Sequence, residues 1–159
     1  MKQNVDAREL LTGFDSVSVC LSKGLGAPIG SVLVGPKEFV REAKRWRKVL
    51  GGGMRQAGII AAAGLYALEH HVARLADDHG NALALAEGLR GIEGLTVELP
   101  ETNIVWVDAA GPLGSRLVPA LAEKGVLATG TGKIRFVTHL DVNAADVTAT
   151  LAAVRAIVD

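Results

Sequence analysis

"SVSVCLSKGLGAPIG", residues Ser16–Gly30, runs an apolar strand into a glycine-rich turn and puts a lysine at the junction. Val17 and Val19 recur with the period of two that marks a strand, and the β-branched content supports that reading. An ordinary turn would end such a strand without a charge. Here Lys23 stands at its mouth, followed by Gly24, Gly26 and Gly30. From spacing alone, a lysine at a strand end reads as solvated or snorkelling. The alternative is a reactive amine: a lysine in a confined, partly apolar site loses its charge more easily and can form a Schiff base with an aldehyde. Glycines beside it would then let backbone pass close to a bulky ring. Spacing leaves both readings open.

Competing motifs fail on single positions. The dinucleotide fingerprint G-x-G-x-x-G needs its third glycine at position 29, which holds Ile29. "GTGKIR" looks like the end of a phosphate-binding P-loop, but Ile134 follows Lys133 where serine or threonine is required. A serine-lysine acylating pair would need serine where Cys20 stands. His70, His71 and His79 suggest a metal, yet adjacent histidines point about 100° apart on a helix. They read as a solvated helix face.

Working outward, Asp6 to Leu11 forms one helical turn, Ser16 to Leu21 a strand and Ser31 to Gly35 a second strand. Pro36 opens a helix over "KEFVREAKRWRKVL", whose basic residues read as a solvated face. Gly51–Gly53 break it, and a long helical pattern follows to about residue 92, with a break expected near "HGN" and small residues (Ala57, Gly58, Ala61–Gly64) suited to close helix packing. From Leu95 the order becomes strand, strand, helix, strand, strand, helix, with "VLATG" and "KIRFVTH" as the later strands and Asn143 as N-cap of the last helix. That order suits a small α+β unit with helices on one face of an antiparallel sheet. The first two strands lack enough neighbours in sequence to build a sheet, which suggests a large domain whose beginning is missing.

The chain has 159 residues, enough to bury a real core, and 17 basic residues balance 17 acidic ones. No global attraction to nucleic acid or membrane follows from that balance, and neither is expected as a partner. Cys20, the single cysteine, reads as core filler in a reducing compartment. "MKQNVDAREL" lacks the apolar centre of a signal peptide, so a cytoplasmic location is expected.

Taken together, "FDSVSVCLSKGLGAPIGSVLVG", "GGGMRQAG", "TNIVWVD" and "RFVTHLDV" closely resemble the low-specificity L-threonine aldolases, within the aromatic amino acid β-eliminating lyase/threonine aldolase group of pyridoxal-phosphate enzymes. The resemblance runs from about Asp6 to the C-terminus and corresponds to the later half of such an enzyme. It implies an α/β fold of the pyridoxal-phosphate-dependent transferase type, fold type I (aspartate-aminotransferase-like): a partial large domain plus a small α+β C-terminal domain. The expected division is 1–50 as remnant of the cofactor-binding large domain, 51–90 as an interdomain helical segment and 91–159 as the small domain. Residues before Gly51 are expected to be poorly covered.

The resemblance also implies roles. Lys23 resembles the lysine that carries pyridoxal 5'-phosphate. Arg135 resembles the arginine that grips the substrate α-carboxylate, a task suited to the guanidinium fork; without the resemblance it reads as a surface strand residue. Arg55, opening a helix after the triple glycine, resembles a residue contacting the cofactor phosphate from a neighbouring subunit, with Lys48 a weaker candidate beside it. Asn103 and Asp108 are assigned structural roles. The implied reaction is retro-aldol cleavage of β-hydroxy-α-amino acids, such as threonine to glycine and acetaldehyde, in a homo-oligomer with an inter-subunit site. Two alternatives stand beside it: a non-catalytic C-terminal fragment serving only folding or association, and another fold type I amino acid lyase. In the family the phosphate-binding loop, ring-stacking histidine and ring-nitrogen aspartate precede the lysine strand, so the chain is expected to be truncated.

Overall fold

Asp6 caps the first element of the computed structural model, which describes residues 4–159. Its carboxylate accepts the Arg8 amide at 2.7 Å and nucleates the single turn α1, Ala7–Leu10. β1, Val17–Cys20, and β2, Ser31–Val34, then pair antiparallel, with Val17 opposite Val34 and Cys20 opposite Ser31. They form a sheet of two strands, both largely exposed. Cys20 is therefore exposed rather than core filler, because no described element of this unit covers its face of the pair. Pro36 occupies the N-cap of α2, Lys37–Val49, whose first turn carries Glu38 and whose last turn carries Arg47 and Lys48, as the helix dipole favours. α3, Gly58–His70, completes this unit, which ends at Arg74. Its buried apolar set is small: Leu21, Ala27 and Ala67, with Leu25 packed against them.

The second unit spans Leu75–Asp159. It comprises α4 (Leu75–Leu89), β3 (Leu95–Val97), β4 (Ile104–Ala109), α5 (Leu113–Glu123), β5 (Thr129–Thr131), β6 (Lys133–Val137) and α6 (Ala144–Val158). The strands form one antiparallel sheet in the order β3-β4-β6-β5. Period-two alternation decides its faces: Val105, Val107 and Ala109 of β4, with Ile134 and Phe136 of β6, are buried. They meet Leu85, Ala86 and Leu89 of α4, Leu117 and Leu121 of α5, and Val147 and Val154 of α6 in one core. The alternate residues, Trp106 and Asp108 on β4, Lys133 and Arg135 on β6, fall on the opposite face. The order of elements after Leu95 and the one-sided helices are those expected from the sequence.

Three expectations are corrected. The helical stretch 51–90 is not one interdomain segment, because α4 supplies Ala82, Leu85, Ala86 and Leu89 to the second core; that unit begins at Leu75 rather than near Gly91. The helix break falls at residues 71–74, and His79–Asn81 lies inside α4. There the Asn81 amide donates to the Val142 carbonyl at 3.0 Å while Ala82 is fully buried, so packing overrides the roughly 1 kcal/mol helix penalty of Gly80. "VLATG" is a strand only at its end, where Thr129–Thr131 joins β6. Among the described residues no helix is long and apolar enough to cross a membrane.

Candidate functional site

Lys23 sits in the connection from β1 to β2, and backbone hydrogen bonds close that connection. Leu21 donates to Gly30 at 2.9 Å, extending the hairpin, and Ala27 donates back to Leu21 at 3.0 Å. Inside this ring the Gly26 amide donates to the Lys23 carbonyl at 2.8 Å, making Lys23 the first residue of a tight turn. Gly26 has φ +66°, a conformation that favours glycine. Leu21 and Ala27 turn inward onto Ala67, while the Lys23 side chain stays exposed. The lysine is thus presented by a fixed backbone, and its own unit does not enclose it.

One histidine takes part. His71, the C-cap of α3, has its Nδ1 2.6 Å from the Leu25 carbonyl, inside the lysine turn, and is half-buried. It is not part of a purely solvated face; His70 is exposed, with its ring centroid 4.3 Å from that of Tyr66. Among the described residues no cluster of three histidine, cysteine or acidic side chains could hold a metal ion.

Lys48 and Arg55 flank the glycine turn that ends α2. The Gly52 amide donates to the Arg47 carbonyl at 2.7 Å, folding the chain back on the helix end. A Cβ on Gly53 would lie 2.9 Å from Lys48 Nζ, so the lysine ammonium rests on the backbone that this glycine leaves open. Arg55 is exposed in the turn that follows, not at the opening of a helix: α3 starts at Gly58, and Gln56, at φ +52°, separates the two. No hydrogen bond or ion pair among the described residues joins Lys23 to Lys48 or Arg55.

Arg135 lies at the centre of the second unit's open sheet face. Its register partners are Trp106 on β4 and Thr129 on β5. Two residues away, Lys133 donates to Glu98 Oε1 at 2.7 Å and lies 5.5 Å from the centre of the Trp106 ring. The hydrogen bond to Glu98 holds the Lys133 ammonium above its ordinary 10.5, with Glu98 and Asp108 charges adding to it and desolvation opposing. Arg135 is half-buried, and no ion pair among the described residues engages its guanidinium. Asn103 has the structural role expected of it: its amide donates to the Thr138 carbonyl at 2.8 Å, and its own carbonyl accepts the Thr138 amide at 3.0 Å. A cavity of about 520 Å³ in the same unit is lined by Lys124, His139, Asp141, Asp146 and uncharged, mostly apolar neighbours, and does not include Arg135.

The beta-eliminating lyase family profile matches residues 1–112. Among curated proteins, the chain is 46% identical over 138 residues to a low specificity L-threonine aldolase of Escherichia coli, covering 87% of this chain and 41% of that protein. It is 44% identical over 156 residues to low-specificity L-threonine aldolase 1 of Arabidopsis thaliana, covering 92% of this chain and 43% of the relative. The chain therefore spans less than half the length of these relatives. Among solved structures it is similar to a candidate L-allo-threonine aldolase from Listeria monocytogenes (TM-score 0.76, 24% identity, 98% of this chain and 48% of that one). It is also similar to the serine palmitoyltransferase of Sphingomonas wittichii (TM-score 0.71, 20% identity, 90% and 39%). At that identity the likeness establishes the fold, part of fold type I, as expected from the sequence.

Proposed function

The chain belongs to the beta-eliminating lyase family, and on that premise we propose that it carries the lysine-bearing part of a pyridoxal-phosphate-dependent carbon–carbon lyase of L-threonine aldolase type. The reaction is cleavage of a β-hydroxy-α-amino acid at Cα–Cβ, threonine giving glycine and acetaldehyde. One observation carries the reading: Lys23 is exposed on a backbone-closed turn and is followed by Gly24 and Gly26, which leave room beside the amine for a bulky aldehyde. The residues fit the cofactor chemically. Lys23 supplies the primary amine for its aldehyde, and Lys48, resting against Gly53, and Arg55, just beyond, supply cations for its phosphate in a neighbouring copy.

When bound, pyridoxal phosphate supplies the electron sink for breaking the Cα–Cβ bond. The chain's own groups bind and orient. Lys23 Nζ would hold the cofactor through its aldehyde carbon, and the same amine is the basic group placed to move a proton near the substrate Cα. Arg135 offers two parallel N–H donors to the α-carboxylate, which fixes both oxygens and so the direction of the bond to be broken. Lys133 does not compete for that task, because Glu98 already engages it. The chain is read as a partial one, in a homo-oligomeric assembly.

The test is an absorbance spectrum of the protein after addition of pyridoxal phosphate and removal of the excess, compared with Lys23→Ala. The expected result is a visible band that survives dialysis in the parent and is lost in the variant. A band of equal strength in both, or none in the parent, sinks the reading in favour of a non-catalytic association module.

A further inference from the structure

The face that α3 turns toward the lysine turn is defined by Gly64, Ala67 and His71, spaced i, i+3 and i+7 on the helix. Each meets a different part of the turn. At Gly64 a Cβ would come within 3.0 Å of Leu21 Cδ1, so the absent side chain lets Leu21 seat against the helix. Ala67, 1% exposed, closes the small core with Leu21 and Ala27. His71 makes the polar contact, Nδ1 to the Leu25 carbonyl at 2.6 Å across 46 residues of sequence. Leu25 is the third residue of the turn that begins at Lys23, and its carbonyl shares a peptide plane with the Gly26 N–H that donates to the Lys23 carbonyl, so holding that carbonyl orients the peptide that closes the turn.

A carbonyl can only accept, so Nδ1 must carry the proton and donate, which leaves Nε2 as the free ring nitrogen. The Tyr66 ring meets the His71 ring edge-on at 5.5 Å between centroids and limits its rotation. The His71 amide also donates to the Ala67 carbonyl at 2.9 Å, tying the histidine backbone to the residue that packs on Ala27. A glycine-flanked turn has many conformations to lose. Backbone hydrogen bonds and a three-residue apolar core limit them from within the hairpin, and the bond from His71 ties the turn to a 13-residue helix as well.

We propose that His71 is a positioning residue that holds the Lys23 turn in one conformation through its Nδ1–H bond to the Leu25 carbonyl, and so sets where the lysine amine is presented. The consequence for the amine rests on the function proposed above; the anchoring itself does not.

Two variants of the full chain separate the possibilities. His71→Phe keeps the ring but removes the donor, whereas His71→Asn keeps an amide N–H near the Nδ1 position. Residue-resolved hydrogen exchange without cofactor reads the anchoring directly. Gly26 and Ala27 amides are expected to exchange about three- to tenfold faster in His71→Phe, with α2 unchanged, and to return toward the parent rate in His71→Asn. Pyridoxal phosphate titration, followed by the Lys23-dependent band, is expected to show a matching loss of apparent affinity and the same rescue. Unchanged exchange in His71→Phe, or exchange raised uniformly over the whole unit, overturns the proposal, because the bond would then do no more than general packing. Selective loosening of the turn with unaltered cofactor affinity also overturns it. If the parent gives no Lys23-dependent band, the function fails, and hydrogen exchange still decides whether His71 anchors the turn.

Discussion

Lys133 and Arg135 stand two residues apart on one face of β6 and differ in what holds them. Lys133 is bound to Glu98 and lies over Trp106. Arg135, paired in register with the same tryptophan, has no such partner among the described residues, which leaves its guanidinium open to a carboxylate. The sequence made Arg135 legible only through the resemblance, since a basic residue on an alternating strand is most simply a surface residue. It gave no sign of Glu98, which lies 35 residues from Lys133 and meets it only through the β3-β4-β6 order. The hydrogen bond to Glu98 raises the Lys133 ammonium above 10.5 in the folded chain. A lysine raised in this way stabilises the fold fully below its unfolded value and loses that contribution as pH rises through the folded one. No change from this pair is therefore expected between neutral pH and about pH 10, and a loss above that. An NMR titration of the Lys133 side chain should give a midpoint above 10.5 in the parent and a lower one in Glu98→Gln, with high salt narrowing the gap because both groups are exposed. Equal midpoints in the two proteins would mean that the ion pair does not persist in solution.

The elements of the second unit were the most legible part of the chain because local and tertiary signals agree there. Asn143 caps α6 with a complete capping box, its side chain accepting from Ala145 and Asp146 while Asp146 accepts the Asn143 amide. The "GTGK" stretch, which is not a P-loop, runs from the end of β5 into the start of β6, with Gly130 in β5 at φ +112° and Gly132, at φ +78°, the single residue between the strands. Less legible was the helix boundary, because Val72–Arg74 carry neither glycine nor proline to signal the break and Gly80 misleads. Gly114 was invisible to pattern reading, yet it sets how α5 meets the sheet. A Cβ there would come within 2.9 Å of both the Ala109 carbonyl oxygen and Gly132 Cα, and the Gly132 amide donates to the Gly114 carbonyl at 3.0 Å. Those neighbours are backbone and cannot rotate away. Gly114→Ala should therefore destabilise the second unit by about 1–3 kcal/mol, outweighing the roughly 1 kcal/mol gained in helix propensity. Urea unfolding followed through Trp106 measures it, and a variant as stable as the parent would show that α5 can slide along the sheet.

At the scale of the whole chain the two units differ in what they bury. The second gathers residues of three helices and a four-stranded sheet around Leu89, Leu117, Leu121 and Ile134, all fully buried. Among its described residues the first has a two-stranded sheet and a buried apolar cluster of Leu21, Ala27 and Ala67, while Val34 is 50% and Ile59 80% exposed. Poor coverage of residues before Gly51 was readable from the short strands, since two strands cannot hide each other's faces. The placement of α4 was not, because nothing local tells a helix which core it will join. Burial of apolar surface is the main stabilising term, at about 25 cal/mol per Å², and it is distributed unequally here. Unfolding of this chain on its own should therefore not be two-state. Each unit holds one tryptophan, Trp46 on α2 and Trp106 on β4, so Trp106→Phe leaves a reporter of the first and Trp46→Phe a reporter of the second. In urea the Trp46 signal should change first and over a broad range, as expected for a segment that exposes little new surface. The Trp106 signal should follow in a sharper transition at higher urea. Coincident midpoints would mean that the first unit draws its stability from the second, and far-UV circular dichroism on the same samples would then show one step in place of two.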